Sequence, residues 1–151
     1  MRFLELLPLQ RVKTDLVAAD KPALIDNLAD LLAGPSERGT IRDALLARER
    51  LGTTGLGHGV AIPHGRSAAV NEARAAFIRL ARPIDFGAID DQPVDLIAAL
   101  IVPAHFTDEH LQLLAELAEM FSDSSLTTEL RRAPDAAAVR HAISIFATTR
   151  I

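Results

Sequence analysis

Apolar residues along this chain keep a three-to-four spacing in some segments and fill nearly every position in another. From 20 to 34, Ala23, Leu24, Leu28, Leu31 and Leu32 recur at helical spacing. Asp20 before Lys21-Pro22 supplies an N-cap and a proline in the first turn, and Gly34-Pro35 ends the run. A second helix is predicted from Thr40, with Ile41, Ala44 and Leu45 on one stripe, to Leu51-Gly52. Thr107, followed by Asp108 and Glu109, caps an amphipathic helix to Phe121, and shorter helices follow over 122–132 and 135–147. The other pattern is "VDLIAALIV", residues 94–102, apolar or small almost throughout, as in a strand covered on both faces. Val60 to Ile62 reads as a short strand, 73–80 as another with weak alternation, and the opening segment as extended. The chain is therefore α/β: a sheet with helices on both faces.

Composition narrows this picture. A length of 151 residues, 49% apolar and 24% charged, fits one folded domain over 1–151. The net charge of −4 provides no basic stripe for nucleic acid, and the apolar run at 96–102 is too short to insert into a membrane. Glu5 and Pro8 interrupt the start where a signal peptide would be continuous. The absence of cysteine rules out disulfides and thiolate chemistry and fits a reducing compartment, so a cytoplasmic location is expected.

Three polar residues stand in unusual places. Arg48 continues the stripe of Ile41, Ala44 and Leu45, where it is either a last-turn cation reaching outward or a group facing an anion. His110 precedes Leu114, Leu117 and Phe121 on one helix face, as a satisfied core histidine or as a donor near a helix N-terminus. His64, between Pro63 and Gly65 at the end of a short strand, is either a turn residue or an imidazole held with little steric cover. The glycines of "GLGHGV" match neither a dinucleotide fingerprint nor a P-loop. His58, His64, His105 and His110 lack the spacing of metal ligands, so no metal and no cofactor are expected; His105 and His141 fall in no pattern.

Taken together, "ARERLGTTGLGHGVAIPHG" and "PIDFGAIDDQPVDLIAALIVPAHFTDEHLQLLAELA" resemble the type-2 IIA domains of the phosphoenolpyruvate-dependent sugar phosphotransferase system, most of all the nitrogen-regulatory branch. The family pattern of an R-E pair, G-S/T-T-G-x-G, A-I-P-H-G, and V-P-A before a helix with an early histidine is matched in order. The resemblance implies a mixed sheet flanked by helices on both faces. It places the phosphoacceptor, a tele-phosphohistidine, on His64, the active-site arginine on Arg48 and the second active-site histidine on His110. Thr53 and Thr54 are secondary candidates for contacts to the phosphoryl group. One departure is His58, where relatives commonly have asparagine; it is either a solvated loop residue or a modulator of the site, since imidazole titrates near neutrality.

The implied activity is that of a phosphotransferase component. His64 would accept phosphate from an HPr-like (NPr) phosphocarrier, with Arg48 and His110 stabilising the transferred group. The phosphorylation state would then regulate targets, a potassium transporter or a sensor kinase among the classes the family suggests. Two alternatives stay open: a IIA component of a fructose- or mannitol-type transporter handing phosphate to a IIB partner, and a non-catalytic binding module.

Overall fold

The computed structural model describes residues 2–34, 36–105 and 107–149. Strand β6 (Val94–Pro103) shows why its sequence lacks alternation. Its Leu96, Ala98, Leu100 and Val102 enter one hydrophobic cluster, while Ile97, Ala99 and Ile101 enter another on the opposite face. The first cluster is closed by helices α1 (Arg2–Glu5), α4 (Asp108–Phe121), α5 (Ser124–Arg132) and α6 (Ala136–Thr149), the second by α2 (Lys21–Leu32) and α3 (Arg38–Arg50). Helices thus cover both faces, as the apolar pattern predicts.

Among the described residues the sheet is mixed and six-stranded. Strands β1 (Val12–Leu16), β5 (Arg74–Ile84), β6, β3 (Val60–Ala61) and β2 (Gly55–Gly57) follow one another in that spatial order, and β4 (His64–Ser67) also pairs with β6. β5 runs antiparallel to β6, whereas β3 and β4 run parallel to it. β3 and β4 lie end to end along one side of β6, opposite Leu96–Ile97 and Leu100–Pro103 respectively. Ile62-Pro63 forms the break between them: Pro63 has no N–H to give a ladder, while its carbonyl still accepts from the Leu100 N–H at 3.0 Å.

Several expectations are corrected. The opening segment is not simply extended, since α1 and a 3-10 turn at Leu9–Arg11 precede β1. α3 begins at Arg38, two residues before Thr40, with Glu37 at its N-cap position accepting the Gly34 N–H at 2.9 Å. His64 does not end a strand but opens β4, because pairing with β6 resumes after Pro63. β5 continues to Ile84, beyond the predicted 80, and its weak alternation follows from burial of every residue from Ala75 to Leu80. In α4 the buried stripe is His110, Leu113, Leu117, Met120 and Phe121, which leaves Leu114 at its margin.

Candidate functional site

Gly65 sets the separation between β4 and α3. A Cβ built on it would lie 3.0 Å from the backbone C and O of Ala44 and 3.3 Å from the Ala44 Cβ, so the helix comes this close only to a glycine. Arg48 stands one turn beyond Ala44 on the same helix face and is thereby carried to the strand. Alternation along β4 turns His64 and Arg66 to the side opposite Gly65. With Ala44, Ala47 and Leu51 of the α3 end and Leu114 of α4, the three polar residues line a cleft of about 450 Å³. Arg48 and His64, expected together, are brought together.

The ring of His64 is oriented by its own strand. Its Nδ1 lies 2.9 Å from the Ile62 carbonyl oxygen, which can only accept, so the neutral ring carries its proton on Nδ1 and a lone pair on Nε2. Burial lowers the pKa of His64 below the ordinary imidazole value. The Ile62 carbonyl opposes that shift, Arg48 reinforces it and Glu49 opposes it. Burial dominates, leaving a neutral ring with a nucleophilic nitrogen at neutral pH. Arg48 gives Nη1 to the Gly52 carbonyl at 2.9 Å, an anchor that leaves part of its planar fork for another acceptor.

His110 is 7% exposed at the start of α4. The Thr107 N–H donates to its Nδ1 at 3.2 Å, so the neutral ring holds its proton on Nε2. The two neutral rings are therefore held in opposite tautomers, His64 with its proton on Nδ1 and His110 with its proton on Nε2. His110 is not among the residues lining the cleft, whereas Leu114, one turn further on, is.

The secondary candidates lie elsewhere. The Thr53 hydroxyl donates to the Phe86 carbonyl at 3.0 Å, and the buried Thr54 hydroxyl donates to Glu49. His58 occupies the β2–β3 turn and a separate depression shared with Asp90, Asp95 and Arg131, away from the His64 cleft. Sequence reasoning missed Arg66, which brings a second guanidinium to the cleft. The signal was available in the i, i+2 spacing of "HGR", once His64 is placed on a strand.

Comparison with known proteins gives the family and the fold of the chain. The chain is 37% identical over 142 residues to a nitrogen regulatory protein of Pseudomonas aeruginosa, covering 92% of each. It is 36% identical over 129 residues to a fructose-specific EIIA component of the phosphotransferase system from Haloferax volcanii, covering 83% of this chain and 84% of that one. Among solved structures, the nitrogen regulatory protein IIA-Ntr of Neisseria meningitidis superposes with a TM-score of 0.89 at 42% identity, over 94% of this chain and 99% of that one. The IIA mannitol structure from Escherichia coli, with a TM-score of 0.72 at 22% identity over 89% and 96%, shares the fold. The family model for the phosphoenolpyruvate-dependent sugar phosphotransferase system, EIIA 2, matches residues 5–145, and the chain belongs to that family.

Proposed function

We propose that this chain is a regulatory phosphocarrier of the nitrogen-related phosphotransferase system, accepting phosphate on His64 Nε2 from a phosphohistidine of an HPr-like (NPr) carrier. The observation that carries this reading is the Nδ1 contact to the Ile62 carbonyl, which leaves Nε2 as the free nucleophile in a cleft with two guanidiniums. The Nε2 lone pair forms the new N–P bond as the carrier's N–P bond breaks, and the carrier imidazole leaves with that electron pair. Positive charge then grows on the His64 ring, where the Ile62 carbonyl receives the Nδ1 proton's hydrogen bond. Charge on the equatorial phosphoryl oxygens falls to Arg48 and Arg66, which line the cleft; the family pattern assigns a further hydrogen bond to His110. Leu51, 84% exposed, offers an apolar rim against which a carrier could exclude water.

The test is to mix the protein with phosphoenolpyruvate, enzyme I and an HPr-like carrier, then measure intact mass and the 31P NMR shift of the product. Carrier-dependent, acid-labile labelling with the signal of an Nε2 phosphoimidazole is expected. No labelling with any cognate carrier favours the binding module. The likeness to a fructose-specific EIIA component supports the transporter alternative, and onward transfer to a IIB partner would select it.

A further inference from the structure

Glu49 follows Arg48 in α3, yet its side chain is only 5% exposed and does not line the cleft. Its Oε2 receives the Lys21 Nζ at 2.7 Å and the Thr54 N–H at 3.3 Å, while its Oε1 receives the Thr54 hydroxyl. Lys21, in the first turn of α2, also donates to the Phe86 carbonyl at 3.2 Å and lies 4.3 Å from the centroid of the Phe86 ring. Thr53 donates to that same carbonyl. A buried carboxylate requires such partners, and these draw the chain leaving α3 back onto the helix.

The consequence reaches Arg48. The Leu51 and Gly52 N–H groups close on the carbonyls of Arg48 and Glu49 at 3.1 and 3.2 Å, so residues 48–54 form one tied turn. The Gly52 carbonyl on which the Arg48 guanidinium rests belongs to that turn. Without the Glu49 clamp, the Gly52 anchor would be free to move and the guanidinium with it.

We propose that Glu49 is a positioning residue for phosphoryl transfer: by tying Thr54 to α3 it fixes the Gly52 carbonyl and so aims the Arg48 fork at the group arriving on His64 Nε2. The inference rests on the phosphocarrier reading of His64. Its test uses the full chain and phosphoramidate as a small phosphodonor, so that carrier docking does not enter. In that reaction the His64 Nε2–P bond forms as the donor's P–N bond breaks, and ammonia leaves with the electron pair from the protonated donor amine.

Glu49→Gln is expected to label about 10- to 100-fold more slowly, the range for removing a group that orients a reactive partner. Added to Arg48→Ala, the same change should slow labelling less than about twofold, because its effect passes through Arg48. Thr54→Val, which removes only the hydroxyl, repeats the cycle with a milder lesion and decides the question if Glu49→Gln fails to fold. A wild-type rate in both single variants, or an equal fold-loss with and without Arg48, overturns the proposal. If phosphoramidate does not label wild type, the same variants are compared with the phosphorylated carrier as donor; wild type labelled by neither donor, or His64→Ala that is labelled, overturns the phosphocarrier reading instead, with this inference falling as its dependant.

Discussion

His58 and His64 lie in one glycine-rich stretch, each beside an arginine from a helix, and the fold uses them in opposite ways. At His58 the backbone matters. Its φ of 57° and the 82° of Gly59 make a two-residue type I′ hairpin turn between β2 and β3. Its N–H donates to Asp90 at 2.9 Å and its carbonyl accepts from Arg131 Nη2 at 2.8 Å, while Arg131 also grips Asp95. That arginine is committed to the fold. At His64 the side chain matters: the backbone is ordinary strand, Nδ1 is tied down, and Arg48 has one nitrogen anchored while its remaining donors face a cleft. A histidine flanked by glycines is thus no signal by itself; the distinguishing feature is whether a fixed ring nitrogen leaves the other one open.

The largest test of this contrast is alanine at each position. His64→Ala should abolish phosphoryl acceptance and His58→Ala should leave its rate unchanged, read by intact mass after incubation with the phosphorylated carrier. Equal losses would dissolve the distinction. Arg48→Lys, which keeps the charge but loses the planar fork, should slow acceptance by about 10- to 100-fold. An unchanged rate would make Arg48 equivalent to Arg131, an arginine that serves only the fold. Wild-type acceptance should also stay flat as pH falls from 8 to about 6.5, the ordinary imidazole value, and decline only below it. The sign follows from burial: the pKa of His64 is lowered, so the ring remains neutral where an exposed histidine has begun to take a proton. An acid limb beginning above that value would contradict the environment described here.

A smaller effect separates the two glycines that follow these histidines. Gly65 is needed for the approach of α3 to β4, so Gly65→Ala should push the helix outward, costing about 1–3 kcal/mol in denaturant unfolding as overpacking and also slowing acceptance. Gly59→Ala would press its Cβ against Arg131 Nη2 with an unfavourable φ, and should lose stability without a matching loss of acceptance rate.

These contrasts were partly legible in the sequence. Arg48 and His110 stood out because a polar group on an apolar helical stripe breaks a period, and β6 because it had no polar face to break. The four-residue α1 is too short to display a period at all. β4 was hidden because "PHGRS" has the composition of a turn and becomes a strand only by pairing with β6; Arg66 was hidden with it. Glu49, Thr53 and Thr54 resemble solvated groups in a polar stretch. The partners of Glu49 and Thr53, Lys21 and the Phe86 carbonyl, come from distant segments, and local spacing carries no trace of such meetings; Thr54 meets Glu49 only because the chain turns back at the end of α3.

The finest test concerns the departure from asparagine at position 58. A type I′ turn requires positive φ at its first central residue, and asparagine tolerates that conformation better than histidine because its short polar side chain meets little backbone crowding. His58→Asn should therefore stabilise the fold by about 0.5 kcal/mol, raising the midpoint of thermal unfolding by about 1–2 °C in a protein of this size. Stability is the property that ought to move, because His58 contributes its backbone to the turn and its ring to no part of the cleft. A changed rate of acceptance at His64 would show that the hairpin and the cleft are coupled through β3, and the two histidines would then be parts of one site.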